Sequence, residues 1–291
     1  MHIYCYLIYH EVVKMKHVVL NNKLYRYSIN ENHTTDQVAV FLLGALQDIE
    51  SVKMYSDHFS KTLTCITLEI PGTGYAEPLG AQVSISEQSD MLLDFLKYMN
   101  IGAAHLIGFS YATAIAAEIC GVWKGVQSLS ICGGVPGIPE SGIAATKKMI
   151  AASTLSKREF AATFVDSLTA DVEGIPRSAV IKKAMLKNIS NLDDSRINMF
   201  FDNSVRLLVH KPSNISQITV PAVICAAEHD PYVTTKIAKE FSDQLPNSHF
   251  IVIKNSDHLA HLQHPERVAN ALILMASTAV HVEKTLHGLT N

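Results

Sequence analysis

Ser110 lies in the pentapeptide Gly108-Phe109-Ser110-Tyr111-Ala112, between an apolar run ending at Phe109 and an alanine-rich, helix-favouring run from Ala112. A hydroxyl at a sharp strand-to-helix junction suits a nucleophile. The turn is strained, only small residues fit two positions either side, and the side chain projects clear of the sheet. The pentapeptide alone is about equally compatible with a serine capping a helix. A serine also needs a base to take its proton, and the base needs an acid to orient it. Glu228-His229-Asp230-Pro231 follows the apolar run Val223–Ala227, which puts Asp230 at a strand exit. Ser256-Asp257-His258-Leu259-Ala260-His261 follows Phe250–Ile253, which puts His258 in a loop before a last helix. The order serine, acid, histidine selects Ser110, Asp230 and His258 as nucleophile, orienting acid and base. Asp257 is expected to point elsewhere, and Glu228 is the weaker alternative acid.

Other clusters carry less chemistry. His258, His261 and His264 recur every third residue, but in a loop ending at Pro265 and without the H-E-x-x-H pattern, so no metal is expected. His261 and His264 are expected as surface or capping residues. Gly72-Thr73-Gly74 lacks the further glycine or lysine of a dinucleotide or phosphate loop, so no cofactor is expected. Tyr111 and Phe109 are as well suited to core packing as to lining a pocket.

The elements that must position these residues follow from hydrophobic patterning. Strands are predicted over His17–Leu20 and Lys23–Ser28, hinged at Asn21-Asn22, then Val38–Leu43, Cys65–Ile70, His105–Phe109, Val126–Cys132, Val223–Ala227 and Phe250–Ile253. Several are rich in Val and Ile without polar alternation, as strands covered on both faces are. Helical spacing runs over Ser84–Met99, Thr113–Val122, Thr234–Leu245 and Pro265–Met275, the first opened by a Ser84/Glu87 capping box. A hairpin followed by strand–helix units predicts a mostly parallel, doubly wound α/β sheet. The alternation breaks over 135–218, where helix follows helix, with a second capping box at Ser156/Glu159. The chain thus divides into a core of 1–134 and 219–291 and an inserted helical cap of 135–218.

Composition bounds the function. The 291 residues carry a formal charge of −3, and 48% are apolar. Without a basic stripe interleaved with aromatics, nucleic acid is an unexpected partner. No apolar run reaches the length of a membrane span. The opening M-H-I-Y-C-Y-L-I-Y reads as an edge strand rather than a signal peptide. Five scattered cysteines, mostly in apolar runs, suggest buried thiols in a reducing compartment. A soluble, cytoplasmic protein is expected. Its oligomeric state is not legible.

The stretches I-G-F-S-Y-A, E-H-D-P-Y-V and D-H-L-A-H-L-Q-H-P-E-R resemble the three catalytic signatures of the α/β-hydrolase superfamily, and Ile70-Pro71-Gly72-Thr73-Gly74-Tyr75 resembles its P-G-x-G-x loop. The resemblance covers almost the whole chain and places the helical insertion in the cap position. Two departures stand out: Leu43-Gly44-Ala45-Leu46 lacks the histidine that commonly braces the oxyanion loop, and Ala112 replaces a glycine. The resemblance implies oxyanion donors from the backbone N–H groups of Ala45, with Leu46 as the alternative, and of Tyr111. A weaker resemblance links L-G-A-L-Q-D and P-Y-V-T-T-K-I-A-K-E-F to bacterial 3-hydroxyacyl transacylases.

The function expected is cofactor-independent serine hydrolysis of a small carboxylic ester or thioester, through an acyl-enzyme on Ser110. Acyl transfer by the same triad is the alternative. It would favour a carrier-bound substrate and a basic entrance, for which Lys147, Lys148, Lys182 and Lys183 are the candidates. Carbon–carbon bond hydrolysis stays open, and a ligand-binding protein on the same scaffold is the reading from outside enzymology.

Overall fold

The computed structural model describes residues 15–212 and 214–276. Asn21 and Asn22 take φ of 49° and 60°, the backbone of a two-residue type I′ turn. They join β1 (Lys16–Leu20) to β2 (Lys23–Asn30) as an antiparallel hairpin. Six further strands follow: β3 (Val38–Leu42), β4 (Thr64–Glu69), β5 (Ala104–Phe109), β6 (Val126–Cys132), β7 (Ala222–Ala227) and β8 (Ser248–Ile253). They form one sheet of order β1-β2-β4-β3-β5-β6-β7-β8. It is antiparallel from β1 to β4 and parallel beyond. Every residue of β5 and β7 is buried, which explains their unalternating apolar runs.

The helices in chain order are α1 (Lys53–Phe59), α2 (Ile85–Tyr98), α3 (Ala112–Val122), α4 (Glu140–Ser153), α5 (Lys157–Leu168), α6 (Ser178–Ser190), α7 (Asp194–Val209), α8 (Thr235–Gln244), the short α9 (Ala260–Gln263) and α10 over 265–276. One sheet face buries Leu92 and Phe95 of α2, Ile115 of α3 and Phe241 of α8. The other buries Tyr55 and Phe59 of α1 with Val268 and Leu272 of α10. The strand order reverses about β3, whose neighbours are β4 on one side and β5 on the other. The loops leaving β3 and β5 therefore part at the sheet's carboxyl edge, where a crevice for a ligand opens.

Helices α4–α7 lie between β6 and β7 and have a core of their own, in which Met149, Phe160, Phe164, Ile197 and Phe200 are buried together. The rings of Phe160, Phe164 and Phe200 are 4.9–5.8 Å apart, centroid to centroid. No helix among the described residues is long and apolar enough to cross a membrane.

The sheet and the major helices match the sequence expectations, with differences that have physical causes. Strands β2 and β8 extend past their apolar runs because Ile29–Asn30 and Ser248–His249 still find ladder partners in β4 and β7. Helix α1 was not anticipated: its seven residues are too few for a helical period, and no side chain caps its start. The Ser84/Glu87 capping box is complete, whereas Ser156 accepts from the Glu159 amide while the Glu159 carboxylate turns to the Ser156 hydroxyl, leaving the reciprocal backbone bond unmade. The edge strand expected within Met1–Tyr9 lies outside the described residues.

Phe160 is fully buried among the insertion's aromatic rings. Phe160→Ala is expected to destabilise the insertion by about 3–5 kcal/mol, read as a lower urea midpoint for a near-ultraviolet circular dichroism signal from these rings.

Candidate active site

Ser110 takes φ of 44°, a region that residues other than glycine seldom occupy. The conformation is held from both ends: the Ser110 amide donates to the Cys132 carbonyl (2.9 Å), and the Ser110 carbonyl accepts the first helical bond, from Thr113 (3.0 Å). Space around it is scarce. A Cβ on Gly134 would lie 2.6 Å from the Ser110 carbonyl oxygen and 2.0 Å from Thr113 Oγ1, and one on Gly108 would lie 3.0 Å from Ile131 Cδ1. The β6 exit and the β5–α3 junction fit each other only because both are built from small residues.

The structure brings Ser110, His258 and Asp230 together from three loops. Ser110 Oγ is 3.2 Å from His258 Nε2, and His258 Nδ1 is 2.7 Å from Asp230 Oδ2. Asp230 Oδ1 accepts from the amides of Tyr232 (2.8 Å) and Val233 (2.9 Å), so this carboxylate, only 4% exposed, is fully engaged. Asp257 points elsewhere, as expected: it accepts from Leu259 N, Gln263 Nε2 and, in the insertion, Ala170 N. Glu228 faces Lys254 and the Asn255 amide.

Two opposing effects set the protonation of His258. Burial alone would lower its pKa. The charge and hydrogen bond of Asp230, with the charge of Asp257 behind, more than offset that and raise it above the ordinary imidazole value. His261 goes the other way: burial, and then the neighbouring His258 charge, push it down to about 4. It lines the cavity above Ser110 and meets Phe109 edge-on at 6.2 Å. His261 is therefore not a surface or capping residue. The signal in the sequence is its spacing of three from His258: His258 lies in the turn just before α9 and His261 on α9 itself, so both reach the cavity. His264 caps the end of α9 and contacts the Asn255 carbonyl, in keeping with expectation.

Gly44–Gln47 forms a tight turn after β3. The Gln47 amide donates to the Gly44 carbonyl (3.1 Å), and the Gly44 amide donates to Gln47 Oε1 (2.8 Å). That pattern leaves the central amides, Ala45 and Leu46, without a partner in the turn. The Tyr111 amide begins α3, where helix N–H groups are orphaned. None of these three amides has a protein acceptor among the described residues, and all three residues line the same cavity as Ser110. The Tyr111 side chain is turned away, into a buried contact with Gln88 Oε1 (2.5 Å). Phe109 packs on Tyr55 in the core rather than lining the cavity.

The cavity is about 380 Å³ in volume and is roofed by Met149, Phe164, Met185 and Phe200 of the insertion. Among the described residues, the titratable side chains in its wall are His258, His261, Asp48 and the Tyr232 and Tyr111 phenols, and no lysine or arginine contributes. The lysines considered for a basic entrance lie elsewhere: Lys148 pairs with Asp166 and Lys182 with Asp171. Among the described residues no group of His, Cys, Asp and Glu could hold a metal ion.

The fold has relatives. The chain belongs to the alpha/beta hydrolase family, whose model matches residues 44–271; it is accordingly a hydrolase. A relative of established name, the (E)-2-((N-methylformamido)methylene)succinate hydrolase of Acinetobacter baylyi, is 21% identical over 263 residues, covering 80% of this chain and 88% of its own. An alpha/beta hydrolase enzyme from a Medee basin deep-sea metagenome library superposes with a TM-score of 0.81 at 14% identity, over 90% of this chain and 97% of the other. The enol-lactonase of Burkholderia xenovorans LB400 superposes with a TM-score of 0.74 at 16% identity, over 90% of this chain and 100% of the other.

The two histidines should titrate far apart in an NMR titration of ring-labelled protein. His258 is expected to protonate above the free-imidazole range and to fall below it in Asp230→Asn, where burial acts without the compensating charge; His261 should stay neutral down to about pH 4. A His258 that titrates like a free imidazole in both proteins would contradict this account of the site.

Proposed function

We propose that the protein is a serine hydrolase that cleaves a neutral, largely apolar carboxylic ester or thioester through an acyl-enzyme on Ser110. The observation that carries this reading is the unbroken relay from Asp230 through His258 to Ser110 at the floor of the roofed cavity. His258 Nε2 takes the Ser110 proton as Oγ attacks the acyl carbonyl. Asp230 fixes the tautomer with Nδ1 protonated and stabilises the imidazolium that forms. The raised pKa of His258 makes it a stronger base, at the cost of a larger protonated fraction near neutrality. The tetrahedral oxyanion is received by the amides of Ala45 and Tyr111, with Leu46 as the alternative to Ala45, each donor worth about 3–4 kcal/mol. The imidazolium then protonates the leaving group. A water activated by His258 cleaves the acyl-enzyme and restores the serine.

The wall of the cavity supports the substrate class. A carboxylate on the acyl group would enter a site without lysine or arginine, against Asp48 and a neutral His261, and an unpaired charge there is costly. The Acinetobacter relative is named for a succinate derivative, and this cavity does not offer the cations that two carboxylates call for. Hydrolysis is favoured over transfer because none of Lys147, Lys148, Lys182 and Lys183 lines the cavity, and Lys148 and Lys182 face Asp166 and Asp171 instead.

A chain-length series of p-nitrophenyl esters tests the reading. Turnover should peak at a chain that fills the cavity, and Ser110→Ala should lose at least about 10⁴-fold in kcat/KM. A hemisuccinate ester should be cleaved about tenfold or more slowly than the neutral ester of equal length. A fluorophosphonate should add one adduct to wild type and none to Ser110→Ala by intact mass. Absence of both turnover and adduct would sink the proposal; a lasting acyl adduct without turnover would instead mark a transferase awaiting its acceptor.

A further inference from the structure

We infer that helix α7 of the insertion is part of the oxyanion machinery: Arg196 and Arg206 are positioning residues that fix the two segments bearing the oxyanion amides. The inference rests on the serine mechanism proposed above and extends it to residues outside the cavity wall.

Arg196 is 3% exposed and Arg206 1% exposed. Arg196 Nη2 donates to the carbonyls of Leu46 (2.9 Å) and Gln47 (3.2 Å), in the turn that presents the Ala45 and Leu46 amides. Its guanidinium lies 4.5 Å from the centre of the Tyr75 ring, which Arg26 approaches at 5.1 Å. Arg26 pairs with Glu69 at 2.9 Å, and the other Glu69 oxygen accepts from the Ile49 amide at 3.0 Å. The segment 44–49 is thus held at its start by the Gln47 side chain, in its middle by Arg196 and at its end by Glu69. No histidine is present to brace it; a cation from the insertion reaches it instead.

Arg206 holds the other donor segment. Its Nη1 donates to the Tyr111 hydroxyl at 3.1 Å, and its remaining donors reach the carbonyls of Leu79, Gly80 and Val83 and the side chain of Asn203. Asn203 in turn donates to the Gly72 carbonyl at 2.8 Å. Residues 196, 203 and 206 are separated by seven and three positions, so they share one face of α7. A single rigid helix therefore carries the ties to both segments and fixes the distance between them.

Stability alone accounts poorly for Arg196. Its Nε and Nη1 atoms are buried without an acceptor, and burying a guanidinium with unpaired donors is costly. What the residue provides is a fixed turn. Oxyanion donors act by being in place before charge develops, so a turn free to tilt would lose transition-state stabilisation while substrate binding hardly changed.

The test uses the full-length enzyme, its best p-nitrophenyl ester and a trifluoromethyl ketone of the same acyl chain, which forms a reversible tetrahedral adduct with a serine. Arg196→Gln is expected to lower kcat about 10–100-fold with KM within about twofold, and to weaken the ketone by the same factor as kcat. Arg196→Lys, which keeps a donor for the two carbonyls, should recover part of both losses. Unchanged kcat and ketone affinity in Arg196→Gln, or a rise in KM alone, overturns the inference. Should Arg196→Gln show no cooperative unfolding transition, Tyr111→Phe takes its place: it keeps the ring and the amide, loses the hydroxyl's bonds to Arg206 and Gln88, and must show the same paired loss. Gln88→Leu, which removes the Gln88 bond and keeps that to Arg206, is the control that must not. A wild-type enzyme that neither binds the ketone nor is labelled at Ser110 removes the underlying mechanism, and this inference with it. A labelled wild type with unaffected variants removes this inference alone.

Discussion

The left-handed backbone at Ser110 is the constraint on which the rest of the site depends. An L-residue holds such a φ only when its surroundings leave no easier choice. Here the choice is removed by β6, whose Cys132 carbonyl takes the Ser110 amide, and by α3, whose first turn takes the Ser110 carbonyl. The turn has to be sharp because β5 ends and α3 begins within a few residues. The small residues at 108, 112 and 134 make room for it. Strand order then decides what meets the serine: β3 lies beside β5, so the turn at 44–47 arrives on one side, while β7 and β8 bring Asp230 and His258 from the other.

The second organising element is how charge is kept in a largely dry place. Asp230 is nearly buried, yet all its acceptor capacity on one oxygen is used by backbone amides and the other oxygen meets the imidazole. Its neighbour Asp257 is buried as well and is spent on amides and Gln263. The insertion participates in both. Ala170 donates to Asp257, and Thr146 meets the hydroxyl of Tyr232, two residues beyond Asp230, at 2.7 Å. Arg177 donates to the carbonyls of Leu262 and Gln263 past the histidine. The insertion thus contacts the loops of Asp230 and His258 directly and, through Arg206, the Tyr111 side chain beside Ser110.

Much of this was legible in the sequence because it is written in local patterns. The apolar runs marked the strands, Asn21-Asn22 the hairpin, and three short motifs the residues that the loops bring together. What stayed hidden depends on long side chains meeting backbone far away in the chain. Arg196 and Arg206 sit on an amphipathic helix, where an arginine reads as solvated surface; only the fold shows that their donors land on carbonyls 150 and 126 positions earlier. The lysines at 148 and 182 misled in the opposite sense, since a cluster of like charges says nothing about the acids that a neighbouring helix or loop will bring. Helix α1 escaped for want of length, and His261 because a run of polar and apolar residues after a strand looks like loop until the short helical turn of α9 is seen.

The insertion occupies the crossover from β6 to β7, a connection that any parallel strand pair must have. Closing a chain loop costs entropy only logarithmically, about 0.6 kcal/mol for each doubling of its length. The crossover can therefore lengthen, shorten or exchange helical turns with little effect on whether β7 finds β6. The surroundings of Ser110 have no such latitude: one methyl group at position 134 would collide with the Ser110 carbonyl and with Thr113. Change is cheap in the helices that roof the cavity and expensive at the turn that carries Ser110. A lineage can thus vary the roof of the cavity while the geometry beneath it is preserved.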